Sequence, residues 1–146
     1  MKLLLISSHY LKNNAGGEGE RAFQLMNYLK KKNINSSILT YKFNNNFFNS
    51  LSIKVTEVSY FNERFKFPII NYQKLKQIFI LINEADTIHF MGHWSLLNAI
   101  VFPIIIWKVK SYSICAAGSL KITGRSQFFK RIFNFFIGNH IIRNAD

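Results

Sequence analysis

The sequence predicts an α/β fold in which a doubly wound, mostly parallel sheet carries helices on both faces. Short apolar runs alternate along the chain with longer segments whose apolar residues recur at helical spacing. The short runs are typical of buried strands, and the longer segments are typical of amphipathic helices. Because strands that alternate with helices form parallel sheets covered on both sides, this order of elements predicts the fold class.

Each predicted strand is a short run of apolar or β-branched residues. The five runs span 2–8, 36–43, 53–60, 86–92 and 111–118. The first run ends in Ser-Ser and is apolar enough to be buried on both faces. The segment around Pro68 shows neither the strand nor the helix pattern and is predicted to be irregular.

The predicted helices lie between these strands. The first, "AFQLMNYLKKK" (22–32), follows a glycine-rich loop and ends in three lysines, which suit the negative end of a helix dipole. The next two helices are expected at 71–84 and 94–110. The residues after 119 are predicted to form a loop and then one helix or two, with a break at Gly138.

The last helical region is rich in phenylalanine, and its apolar residues form two adjacent rows. The row expected to pack on the sheet consists of Phe128, Ile132, Phe135 and Phe136. The second row consists of Phe129, Phe133 and Ile137. Two interpretations of the second row are open. It is further core, or it rests with the neighbouring cations on an anionic membrane surface.

Length and composition indicate one folded domain, 1–146. Hydrophobic residues make up 49% of the chain and include 15 phenylalanines, which excludes a disordered protein. The longest apolar stretch contains Pro103 and is shorter than the ~20 residues that span a bilayer. The single cysteine, Cys115, cannot form an internal disulfide, which favours a reducing, cytoplasmic location, with the inner face of the membrane as a peripheral site.

The sequence has a net charge of +12, and between Asp86 and Asp146 it has seven Lys or Arg residues and no acidic residue, which predicts a cationic surface there. Nucleic acid is the first partner that such a charge suggests. However, the phenylalanines cluster in apolar runs such as "FNFF" (133–136) and do not alternate with Lys and Arg as a base-stacking surface requires. We therefore predict no nucleic-acid partner, and a basic nucleic-acid-binding module is kept as the less favoured alternative.

Three loops are expected to line one cleft. In doubly wound sheets, ligands bind at the carboxyl ends of the strands, where the strand order reverses. The loops that follow the first, fourth and fifth predicted strands, 9–20, 92–95 and 117–125, are all rich in glycine or polar residues. The sequence therefore predicts a binding site formed by these three loops.

The glycine-rich loop matches neither the dinucleotide fingerprint nor the phosphate-binding P-loop. Gly16 and Gly17 allow a ligand to approach the backbone closely. The alternative is a plain turn in which Glu18 or Glu20 stabilises the helix N-terminus. His93 follows the fourth predicted strand and could hydrogen-bond a substrate, whereas His89, inside that strand, is predicted to be a core histidine. No metal-binding cluster accompanies either.

Four segments in this order resemble the N-terminal domain of retaining, family-four glycosyltransferases with the GT-B fold. They are the glycine-bearing opening "LLLISSHYLKNNAGGEGERA", "DTIHFMGHWSLLN", "SICAAGSLKITGRSQFFKR" and the closing "IIRNAD". The resemblance covers nearly the whole chain. Two positions differ from the usual pattern, since Met91 and Ala117 stand where many members have histidine.

The resemblance implies a Rossmann-like domain that helps to transfer a sugar from a nucleotide-sugar donor to a glycan or lipid-linked acceptor, without metal or other cofactor. It assigns the catalytic position, next to the transferred sugar, to His93. It assigns donor and acceptor contacts to Gly16 and Gly17. The other substrate-binding candidates in the three loops are Glu18, Trp94, Gly118, Ser119 and Arg125.

Members of this family bind the donor with a second domain, for which these 146 residues have no counterpart. We therefore expect an incomplete or split enzyme that has no transferase activity alone and works with a separate donor-binding domain. The alternative is a catalytically silent partner domain. The resemblance does not indicate which sugar or acceptor is used.

Overall fold

The computed structural model describes residues 1–8, 16–41, 54–61, 67–116, 122 and 126–146. Its centre is a six-stranded sheet in the order β4-β3-β2-β1-β5-β6. The strands are β1 (Lys2–Ser7), β2 (Asn35–Tyr41), β3 (Lys54–Phe61), β4 (Phe67–Ile69), β5 (Thr87–Met91) and β6 (Tyr112–Cys115). All neighbours pair in parallel except β3 and β4. The predicted α/β class with a doubly wound, mostly parallel sheet is confirmed.

The helices follow the predicted order, but several of their bounds differ. They are α1 (Gly16–Lys31), α2 (Tyr72–Glu84), α3 (Leu96–Trp107), α4 (Gln127–Phe133) and α5 (Asn139–Arg143), with a π turn (Asn134–Gly138) between the last two. Helix α1 already includes the glycines at 16, 17 and 19, so the prediction of a loop up to residue 20 was wrong. The predicted break at Gly138 was also wrong, because its φ of −57° continues the helix.

Strand β4 is an element that the sequence pattern missed. It is three residues long and pairs antiparallel with β3, with Pro68 opposite Tyr60. Proline has no amide hydrogen to donate, so it is tolerated in a strand only where one side of the ladder is unpaired, as at a sheet edge. The segment predicted to be irregular is therefore a short edge strand.

The sheet separates two apolar cores because neighbouring residues of a strand point to opposite faces. On one face, Leu5 of β1 packs with Ala22 and Met26 of α1. On the other face, Leu4 and Ile6 belong to a larger core contributed also by α2, α3 and α5. The N-terminal helix and the C-terminal helices thus cover opposite faces of the sheet.

The phenylalanine-rich helix packs on the sheet through part of the second row, for which further core was one of the two open interpretations. Phe133 and Ile137 pack against the larger core, and Ile141 is fully buried in it. The residues expected to face the sheet are exposed instead: Phe128, Ile132, Phe135 and Phe136. The prediction that the first row packs on the sheet was wrong, and of the second row Phe129 is exposed as well, since both rows are apolar and spacing alone does not say which residues a sheet will cover. Among the described ranges, no helix is long and apolar enough to cross a bilayer.

Val109 is strained at the C-terminus of α3. Its φ of 50° is left-handed, a conformation that glycine adopts easily and β-branched residues rarely do. The backbone closes the helix through Val109 N–H to Ile106 O and Lys110 N–H to Ile105 O. Val109 itself is 90% exposed, so its side chain adds little packing.

We expect Val109→Gly to stabilise the fold by about 1 kcal/mol, because it relieves this strain without removing buried surface. Chemical denaturation followed by circular dichroism measures the change. Ile106→Gly, at an ordinary helical position three residues earlier, is the control and should destabilise. A Val109→Gly variant less stable than the wild type would contradict the backbone geometry at this turn.

Candidate functional site

The crevice of this fold lies between β1 and β5, where the strand order reverses. β1 pairs with β2 on one side and β5 on the other, and Ser7 stands opposite Met91 at the carboxyl end. The chain leaves β1 through Ser8 and leaves β5 through Gly92. Such a crevice is where doubly wound domains bind their ligands.

Glu18, in the first turn of α1, reaches this crevice. Its carboxylate accepts hydrogen bonds from the hydroxyls of Ser8 at 3.1 Å and Ser7 at 3.4 Å. Both serines are buried. The carboxylate is therefore held at the carboxyl end of β1, near the positive end of the α1 dipole.

Gly92 allows the carboxylate of Glu18 to lie against the end of β5. Its φ is +83°, and a Cβ atom added there would lie 2.5 to 2.7 Å from the carboxyl atoms of Glu18. The Gly92 amide donates to Cys115 O at 2.8 Å, and its carbonyl accepts from Asn98 Nδ2 at 3.0 Å. The positive φ favours glycine at this position, and any larger residue would also require the carboxyl end of Glu18 to shift.

His93 points away from α1, into the helix that covers the other face. Its side chain is only 1% exposed. Its Nε2 donates to Oδ1 of Asn134 at 2.9 Å, and its ring meets the edge of Phe133. A Cβ on Gly138 would lie 3.0 Å from the same nitrogen, so the π turn brings the helix backbone close to the ring.

The burial of both histidines lowers their pKa values. For His93, loss of hydration lowers the pKa, and the hydrogen bond to Asn134 opposes this effect. For His89, burial alone lowers the pKa. His89 Nδ1 shares a hydrogen bond with Ser113 Oγ at 2.7 Å, which agrees with its prediction as a satisfied core histidine.

Three buried polar atoms at the start of α3 have no hydrogen-bond partner among the described residues. They are Nδ1 of His93, Nε1 of Trp94 and Oδ1 of Asn98. Buried polar atoms are stabilised when a water molecule or a ligand supplies the missing hydrogen bond. Since Nε2 of His93 carries the donated proton, Nδ1 is the acceptor of the neutral ring.

Trp94 is held between a histidine and a cation. Its ring meets that of His93 at a centroid distance of 5.8 Å, and Nζ of Lys130 lies 4.3 Å from the ring centre. An ammonium group over an indole face is a favourable cation–π contact. Lys130 thus links α4 to the loop that follows β5.

The structure brings together only part of the predicted site. It places Glu18 against Gly92, while His93 turns toward the opposite face of the sheet. Gly16 and Gly17 begin α1, and nothing lies within 4 Å of a Cβ added at Gly17. Gly118, Ser119 and Arg125 fall outside the described residues, as does most of the cleft predicted from loops 9–20 and 117–125.

Sequence reasoning missed four side chains that position this site. Ser7 and Ser8 hold Glu18, Asn98 holds the Gly92 carbonyl, and Asn134 holds His93. The signal for Asn98 was present, since it is the one amide inside the apolar run "LLNAIVF" (96–102). Asn134 had no such signal, because its contact spans 41 residues.

The fold and this crevice define a doubly wound α/β domain of Rossmann-like architecture. Within the described ranges, no three His, Cys, Asp or Glu side chains are grouped as metal ligands would be. Neither comparison with protein-family models nor a search of curated proteins finds a match for this chain.

Proposed function

We propose that this chain is the acceptor-side domain of a retaining glycosyltransferase that uses a nucleotide-sugar donor. The observation that carries the proposal is the carboxylate of Glu18, held by two serine hydroxyls in the crevice between β1 and β5. The resemblance of the sequence to GT-B enzymes and the Rossmann-like sheet are consistent with it.

In the described part of the crevice, the carboxylate of Glu18 favours a ligand rich in hydroxyl groups. A carboxylate accepts hydrogen bonds from hydroxyls, and it repels phosphate. Because Glu18 lies in the first turn of α1, it already occupies the positive end of that helix, where a phosphate would otherwise bind. The crevice of this domain therefore suits a sugar acceptor better than the donor diphosphate.

The donor would be held by a second domain, which stabilises the leaving diphosphate. In the reaction, the bond between the sugar and the diphosphate breaks, a bond to an acceptor hydroxyl forms, and the hydroxyl proton is released. Charge that develops on the leaving oxygen needs aligned donors or cations. The described crevice offers a carboxylate there instead, so we expect no transfer by this chain alone.

The role of His93 beside the transferred sugar stays a prediction. With its ring 1% exposed, a ligand could reach Nδ1 only if the helix at 127–143 moves. The second candidate function is a catalytically silent partner domain of a donor-binding chain, and the burial of His93 favours it.

The role of Glu18 can be tested with a glycan array probed by the labelled chain. We expect selective binding of hydroxyl-rich glycans, weakened at least about tenfold in Glu18→Gln, because a hydrogen bond to a charged group contributes about 1.5 to 3 kcal/mol. Glu20→Gln is the matched control, since Glu20 lies two residues further along α1 and accepts a hydrogen bond from the exposed Gln24 side chain.

Two outcomes would contradict the proposal. One is glycan binding that is equally strong in Glu18→Gln and wild type. The other is turnover of any of the common nucleotide sugars by the purified chain without a partner, because the division between acceptor and donor domains would then be wrong.

A further inference from the structure

The helical segment at 127–143 carries an exposed aromatic face. Its inward side is the row Phe133, Ile137 and Ile141. The aromatic face, on the opposite side, consists of Phe128, Phe129, Ile132, Phe135 and Phe136. Its four phenylalanines are 69%, 58%, 75% and 67% exposed in that order. Several exposed aromatic side chains on one short segment are unusual for a surface that faces only water.

Basic residues accompany the aromatic face, and acidic residues are missing from it. Arg131 precedes Phe135 by four residues, so both lie on the same side of the helix, and the exposed Arg143 follows Phe136 by seven residues, about two helical turns. The sequence has no Asp or Glu from 87 to 145. The acid that follows, Asp146, is held by Ser111 Oγ and the Tyr112 amide at the edge of β6.

We infer that the aromatic face rests on an anionic lipid surface. Phenylalanines insert between lipid headgroups while arginines remain at the level of the phosphates, and both residue types occur on this face. The lipid surface is expected to be negatively charged, because the aromatic face carries arginines and no acidic residue that would neutralise them. This inference does not depend on the proposed transferase activity.

Co-sedimentation of the full chain with lipid vesicles tests the inference. The vesicles contain phosphatidylcholine alone or a mixture with phosphatidylglycerol, over a series of salt concentrations. We expect binding to the anionic vesicles only, and less binding as salt rises. Phe135→Ser/Phe136→Ser should weaken it at least about tenfold, since two apolar side chains no longer insert. Arg131→Ala/Arg143→Ala should weaken it about fivefold for each arginine.

The control is Tyr28→Ser/Lys31→Ala, which removes an exposed aromatic residue and a cation from α1, on the opposite face of the sheet. It should bind anionic vesicles as the wild type does. Thermal unfolding should show that the Phe135→Ser/Phe136→Ser variant keeps its fold, because neither side chain is part of the core.

Three results would overturn the inference. They are no binding at low salt, equal binding to neutral vesicles, and equal loss in the control variant. A chain that instead forms a dimer in solution, abolished by Phe135→Ser/Phe136→Ser, and ignores vesicles would assign the aromatic face to a second copy of the chain.

Discussion

Replacing Gly92 by alanine is expected to destabilise the domain by about 3 kcal/mol. The φ of +83° accounts for about 1 to 2 kcal/mol of this loss, because a Cβ is strained in that conformation. The rest arises because the new Cβ would lie 2.5 Å from Glu18 Oε2 and displace the carboxylate from Ser7 and Ser8. Urea denaturation followed by circular dichroism measures the difference.

Gly17→Ala is the matched control for this variant. A Cβ at Gly17 meets no atom within 4 Å and lies in a helix, so this substitution should be neutral or stabilise by up to about 1 kcal/mol. When Glu18→Ala is already present, adding Gly92→Ala should destabilise only by the cost of the positive φ, because no carboxylate is left to displace. A loss no larger in the wild-type background than in Glu18→Ala would show that Glu18 does not lie against β5, and a Gly92→Ala variant as stable as the wild type would contradict the positive φ of Gly92.

His93→Ala is expected to destabilise by about 3 kcal/mol. The substitution leaves a cavity beneath Phe133 and deprives Oδ1 of Asn134 of its partner. His89→Ala is the control. Because His89 is only partly buried and makes one hydrogen bond, to Ser113, it should destabilise by about 1 kcal/mol. Equal losses in the two variants would mean that His93 is not held by the C-terminal helix.

The stability lost in His93→Ala is also expected to depend on pH. Burial lowers the pKa of His93 below its usual value of 6.5, so the folded state stays neutral while the unfolded state takes up a proton. Stability therefore falls as the pH drops below about 6.5, by up to about 1.4 kcal/mol per pH unit for each such histidine. The difference between wild type and His93→Ala should shrink over that range. A difference that does not change between pH 7.5 and 5 would contradict the burial of His93.

Local patterns were sufficient to predict most of the fold. The apolar run at 2–8 and the helical spacing of 71–84 correspond closely to β1 and α2. These elements were predictable because the propensity, the apolar pattern and the flanking residues all indicate the same secondary structure. For α2, the flanking residue is Asn71, whose side chain caps the helix. Strand β4 was missed because three residues around a proline carry too little pattern to detect.

The errors at the phenylalanine-rich helix have a different cause. Phe133 and Phe136 have the same local pattern, and only the position of the sheet decides that Phe133 is covered. The π turn at 134–138 adds to the difficulty, because it shifts the register that a regular helix would keep. A sequence that is apolar on both sides of a helix does not determine which side is buried.

The candidate site was predictable in its location and less so in its contacts. The rule that ligands bind where strand order reverses predicted a site at the loops 9–20 and 92–95, which include Glu18 and Gly92. The partners of these residues depend on the tertiary structure. His93 was expected in the cleft because it follows β5 directly, but the helix at 127–143 approaches closely through Gly138 and buries it.

The central claim is that the crevice at Ser7, Ser8, Glu18 and Gly92 binds a hydroxyl-rich acceptor rather than the donor diphosphate. Amide chemical shifts of the isotope-labelled chain, titrated separately with neutral oligosaccharides and with pyrophosphate or uridine diphosphate, test it most directly. The account predicts that an oligosaccharide shifts the amides of these four residues and that the phosphates do not. Shifts of the same four amides by pyrophosphate or uridine diphosphate, with none from any oligosaccharide, would contradict it.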